Sequence, residues 1–149
     1  MAQTTSYRGM SDLTTIATEF RLAIQRIPSE QRPLGMRHFP RGACGDTALL
    51  MGAYLFDIGV NGFHYVSGTR GDHANHSWQS HAWLQRADLI IDITADQFLD
   101  MPQAIVVEAN SKWHSQFRTE EPQDPDFRTW NGPGVDTLHP MYDQILEAM

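Results

Sequence analysis

Cys44 is the only cysteine in a chain of 149 residues. No internal disulfide can form, so the fold must be held by burial of the chain's own apolar side chains. Hydrophobic residues make up 41% of the sequence, and this length suits one domain with a substantial core. The single thiol makes a reducing cytoplasm the expected compartment, and residues 1–8 lack the charged-then-apolar pattern of a signal peptide. A protein secreted without a leader would share these features. No run approaches the roughly 20 apolar residues that span a bilayer, so no membrane partner is expected. The net charge is −7, and the eleven Lys and Arg are scattered rather than gathered into a stripe. That distribution argues against nucleic acid as a partner. Nothing in the composition speaks to oligomeric state.

Hydrophobic periodicity divides the chain. Residues 1–10 are polar and expected to fray. Leu13, Ile16, Ala17, Phe20, Ile24 and Ile27 recur at helical spacing, with Ser11 as cap and Pro28 as stop. A loop containing Pro33, Gly35, Pro40 and Gly42 then delivers the chain to Cys44. From about Cys44 to Ile58 the residues Ala48, Leu50, Met51, Tyr54, Leu55 and Ile58 predict a helix buried on most sides, ended by Gly59. Strands are expected at 63–67, 78–85, 89–94 and 104–108, with a loop at 68–75. From 120 to 140 the chain is dense in Pro, Asp and Gly and expected to wind over the surface, before a short closing helix at 141–149. The whole reads as a single domain over 1–149, with the core at about 11–118 and an irregular segment at 119–149. Helices first and an antiparallel meander after them make an α+β pattern.

The chemistry-bearing residues fall at chosen places in that pattern. Gly42-Ala43-Cys44 leads a helix, where unpaired backbone N–H groups favour a thiolate and can hold an oxyanion. Ser80-His81-Ala82-Trp83 and Ile91-Asp92-Ile93-Thr94 lie on successive strands. If Gln85 faces Asp88 across their turn, His81 lies directly opposite Asp92, on one face, with Cβ atoms about 5 Å apart. A loop one residue different in length would put them on opposite faces. Thiol, imidazole and carboxylate are the parts of a nucleophile, its base and the base's orienter. Asp46, in the first helical turn, favours the dipole but opposes negative charge on the thiol.

These residues resemble the transglutaminase-like superfamily of papain-fold thiol enzymes, over roughly residues 40–98. The resemblance implies a papain-like core with N-terminal helices packed on an antiparallel sheet. It implies Cys44 as nucleophile, His81 as base and acid, and Asp92 as orienter. The implied activity is cysteine-dependent amide hydrolysis or acyl transfer, of peptidase, deamidase or transglutaminase type, through a thioester. The substrate would be a peptide or protein amide, and neither cofactor nor metal is called for. Papain-like enzymes often carry a glutamine donor several residues before the cysteine. Here that position holds His38, which leaves His38, Trp78 and Trp83 as candidates for the oxyanion donor or the substrate pocket.

Two other readings compete. The same fold could bind a peptide without chemistry. Alternatively Asp72, His73, His76 and His81 fall within ten residues and could hold zinc, with Asp72 or Cys44 as fourth ligand. His64, His114 and His139 have no evident partners, so surface or core roles are their default. Trp83 is expected to serve the core.

Overall fold

The computed structural model describes residues 9–149, so the expectations for residues 1–8 lie outside it. The long helix α1 (Met10–Arg26) buries Leu13, Ile16, Ala17, Phe20 and Ile24, as its periodicity predicts. Ser11 is not its cap. The N-cap is Gly9, whose carbonyl accepts the N–H of Leu13 at 3.0 Å, and Ser11 lies inside the first turn. Two short 3-10 turns fill the loop after Pro28. Helix α2 (Cys44–Asp57) buries Thr47 through Ala53 and Leu55, most of its circumference. That is the signature of a helix enclosed by the rest of the chain.

Five strands follow: β1 (His64–Arg70), β2 (Gln79–Arg86), β3 (Leu89–Asp92), β4 (Val106–Ala109) and β5 (Arg118–Thr119). They form one antiparallel sheet in the order β4-β3-β2-β1-β5. The expected loop at 68–75 starts later than predicted, because Gly68 to Arg70 continue β1. Gly68 pairs with His81 on one side and Thr119 on the other. A Cβ there would stand 2.8 Å from the Arg118 carbonyl oxygen, so the missing side chain is what admits β5. A short helix α3 (Pro133–Asp136) and helix α4 (Leu138–Ala148) close the chain. The fold is α+β. Among the described residues, no helix is long and apolar enough to cross a membrane.

The two faces of the sheet belong to different clusters. Leu84 and Ile91 join α1, α2 and α4 in the main core. Val66, Trp83, Ile90 and Phe117 form a second cluster on the other face. The main core does not end near residue 118: Phe127, Leu138, Met141, Tyr142 and Ile145 are all buried in it.

Candidate active site

The β2–β3 hairpin turns through Ala87-Asp88, with Ala87 at φ +53°, so that Arg86 faces Leu89. The register is therefore shifted by two residues from the one that puts His81 directly opposite Asp92. A shift of two preserves the face. His81 and Asp92 are diagonal neighbours on the Trp83 side, and their side chains still meet: His81 Nε2 lies 2.7 Å from Asp92 Oδ2. Pairing between β2 and β3 stops at Leu84–Ile91, although both strands run on. Beside this unpaired stretch, a narrow crevice between α2 and the sheet is lined by Cys44, Ala82, Trp83, Asp92 and Thr94.

Asp92 is buried, and both of its oxygens are hydrogen-bonded. Its Oδ1 accepts the backbone N–H of Thr94 at 3.0 Å. Its Oδ2 accepts from His81 and also from His114 Nε2, again at 2.7 Å. Burial alone would raise its proton affinity. The charge on His81 and the N–H bonds from His114 and His81 outweigh it and hold the carboxyl well below the usual carboxylate range.

The His81 ring is walled by Phe98, Trp83, Trp113 and Phe117, at centroid distances of 5.0 to 6.0 Å. Burial opposes its charged form. The Asp92 carboxylate, with a smaller contribution from Cys44, overrides burial and pushes the ring up to about 9. The buried carboxylate thus favours the protonated ring. With Nε2–H committed to Asp92, Nδ1 is the nitrogen left over. It is buried, makes no well-aligned hydrogen bond, and has Cys44 beside it.

Cys44 is half-buried at the first position of α2. The first intrahelical bond is from Thr47 N–H to Ala43 O at 2.9 Å, and no side chain caps the helix. The amides of Cys44, Gly45 and Asp46 precede that bond and are free of intrahelical partners. The loop leading in is pinned by Gln97, whose Oε1 accepts Gly42 N–H at 3.3 Å while its Nε2–H donates to Thr94 O at 3.0 Å. One side chain thus ties the thiol's loop to the segment that follows Asp92.

Cys44, His81 and Asp92 are therefore brought together. Of the expected donor or pocket residues, Trp83 lines the crevice with Cys44, and His38 and Trp78 do not. His38 is exposed in the turn before α2. Trp78 is 41% exposed and stacks on His73 at 4.5 Å. Neither has a described contact with Cys44, His81 or Asp92. Trp83 is buried beside His81, but its indole N–H donates to Gln85 Oε1 at 2.9 Å.

Two residues were not singled out by sequence reasoning. Tyr65 stands over the first turn of α2, its hydroxyl 3.3 Å from where a Gly45 Cβ would be. Burial first, and the nearness of Cys44 and Asp46 after it, raises the proton affinity of that phenol. His114, assigned a default surface or core role, is instead the second donor to Asp92. The Ser111-x-x-His114 spacing, which lets the serine hydroxyl meet the ring three residues on, was the one available signal.

The zinc reading based on His73, His76 and His81 does not match this arrangement. His73 and His76 lie on an exposed turn built from its own hydrogen bonds, such as Ala74 N–H to Asp72 Oδ1 at 2.8 Å. Among the described residues, the group close enough to share an ion is His81, Asp92 and His114. Around a tetrahedral zinc, ligand atoms stand about 3.3 Å apart, given bonds of about 2.0–2.1 Å. Here both rings approach one carboxylate oxygen at 2.7 Å, which is the spacing of charge-assisted hydrogen bonds. The geometry is that of a proton network.

No protein-family model, no curated protein and no solved structure matches this chain.

Proposed function

We propose that this protein is a cysteine-dependent amide hydrolase or acyltransferase with a papain-like, transglutaminase-type core. One observation carries the reading: His81 gives Nε2 to a buried carboxylate at 2.7 Å and keeps Nδ1 for the only cysteine, at the start of a helix. In the reaction, the Cys44 thiolate, paired with the His81 imidazolium that holds its proton, attacks the carbonyl carbon of an amide, and the C=O electron pair moves onto oxygen. The free amides of the first turn of α2 receive that oxyanion, and the Tyr65 hydroxyl is placed to add a donor. The intermediate collapses, the C–N bond breaks, and the His81 imidazolium protonates the leaving amine. A thioester remains on Cys44. Water or an amine then attacks it, His81 takes up the incoming proton, and the acid or new amide departs. Asp92 keeps the ring oriented and stabilises its charge throughout.

The test is a screen of peptide amides under three readouts: cleavage, ammonia release from glutamine peptides, and incorporation of a fluorescent primary amine. Turnover in any of them should vanish in Cys44→Ala, whose thermal melt should stay close to wild type because only a half-buried thiol is lost. Normal turnover in Cys44→Ala sinks the proposal. So does one zinc per chain that leaves together with stability on chelation, since a metal on His81, Asp92 and His114 would occupy the base.

A further inference from the structure

Asp92 serves two histidines, and the mechanism above uses only one. His114 sits in a 3-10 turn between β4 and β5 and is 2% exposed. Its Nε2 bonds Asp92 Oδ2 at 2.7 Å, and its Nδ1 meets Ser111 Oγ at 2.7 Å. With Nε2–H given to the carboxylate, Nδ1 accepts from the Ser111 hydroxyl, and Ser111 Oγ in turn accepts the backbone N–H of His114 at 3.3 Å. The ring is also wedged between Trp83 and Trp113, each with its centroid 4.8 Å away. Its orientation is therefore held by Ser111, Trp83 and Trp113, which lie outside the Cys44–His81–Asp92 set.

We propose that His114, locked by Ser111, is a positioning residue of the thiol site: its Nε2–H holds the Asp92 carboxylate in the one orientation that aims His81 Nδ1 at Cys44. The argument is geometric. The Thr94 N–H fixes Oδ1, but a carboxylate held at one oxygen can still swing about its bond to Cβ. A second donor on Oδ2, arriving from a different element than His81, removes that freedom. The two rings lie at 30° to each other with centroids 6.3 Å apart, so both reach the same oxygen without touching. An apolar residue at 114 would leave Oδ2 with His81 alone, and the His81 ring would no longer be referenced to a fixed point. The inference rests on the proposed thiol chemistry only for what is being positioned.

Alkylation of Cys44 by iodoacetamide, followed against pH, reads the site without a known substrate. The ionisable groups facing His81 are Asp92, Cys44 and His114, and those bordering Cys44 are His81, Asp46 and Tyr65. Arg70 adds a charge over the Trp113 and Phe117 rings, at 4.8 and 4.9 Å. In wild type, alkylation at pH 7 should depend on His81, falling in His81→Gln. In His114→Leu it should drop about tenfold at pH 7, the worth of one charge-assisted hydrogen bond. The loss should disappear near pH 10, where any thiol is ionised. His114→Gln, which can present an N–H at the same place, should restore most of the rate, and Ser111→Ala should lie between. A merely structural role predicts lower melting temperatures but superimposable pH profiles for His114→Leu and wild type, and that result overturns the inference. If His114→Leu does not fold, Ser111→Ala decides: a profile matching wild type overturns the inference equally. Should His81→Gln leave alkylation unchanged, the thiol–imidazolium reading itself fails, a result distinct from failure at His114 alone.

Discussion

Both oxygens of Asp92 are committed to donors, which makes an amide a poor replacement. In Asp92→Asn the carbonyl can take the Oδ2 place and accept from His81 and His114, but the NH2 then faces the Thr94 N–H. Two donors buried against each other, and the lost charge, should cost about 2–4 kcal/mol of stability. Catalysis should fall as well, by less than the roughly ten-thousandfold seen for the same change in a serine triad. In the proposed mechanism the base is asked for less, because the thiolate is formed before attack. Denaturant melts with turnover measurements check both parts, and an Asp92→Asn protein as stable as wild type would contradict the buried three-donor geometry. The same pair sets a pH dependence. Burial disfavours the charged ring, but Asp92 and Cys44 raise His81 from its ordinary value of about 6.5 to about 9. The stability this contributes is fully present below about 6.5 and is lost as the pH climbs through about 9. Asp92 is depressed, so its contribution is present above about 4 and lost as the pH falls below that. Melting temperature should therefore be highest between about 4 and 6.5, and His81→Gln should flatten the decline on the alkaline side. An unchanged alkaline decline in that variant would remove His81 as its source.

At the scale of elements, α2 does two things at once: its start presents the thiol, and its flank receives the C-terminal segment. Gly52 is the contact point. A Cβ there would lie 1.9 Å from the Pro125 carbonyl oxygen, and that oxygen is backbone that cannot rotate away. Gly52→Ala gains about 1 kcal/mol of helix propensity but must push the segment off the helix. The net result should be a loss of about 2–4 kcal/mol, visible in a denaturant melt. A melt at or above the wild-type midpoint would show that the segment is not seated on α2. This contact also marks what could be read in advance. Helices with a clear apolar stripe, and strands with alternation, were legible because their burial pattern is written locally. Asp92 meeting His81 was legible for the same reason: parity along a strand survives an error of two in register. Contacts that depend on chain reversal were not. Tyr65 reaches the first turn of α2, His114 reaches Asp92 from the connection between β4 and β5, and β5 slides in beside Gly68, each through a loop whose path no local pattern encodes. His38 and Trp78 are near Cys44 or His81 in sequence, yet neither has a described contact with them.

At the scale of the whole molecule, the segment expected to wind over the surface is part of what holds the site. Arg128 bonds Asp126 and Asp57, and Asp57 also accepts the Tyr142 hydroxyl at 2.6 Å. The end of α2, the segment after β5 and helix α4 are thereby joined through one carboxylate. Beneath them, Leu138, Met141, Tyr142 and Ile145 pack into the same core as Phe20 and Ile24 of α1. Burying four such side chains contributes together about 6–12 kcal/mol. That is comparable with the entire stability of an ordinary domain, about 5–15 kcal/mol. A chain ended at Thr137 should therefore lose its cooperative melt rather than merely fray. Because α1 also carries Arg21, which bonds the Ile93 carbonyl at 2.7 Å and Asp96 at 2.8 Å, loosening α1 releases the strand end that bears Asp92. The truncated chain should show no cooperative transition by circular dichroism, and its Cys44 should alkylate at the rate of an unfolded thiol, with or without His81. A cooperative melt together with His81-dependent alkylation in that chain would show that the site is built from residues before 138 alone, and that α4 only covers a surface.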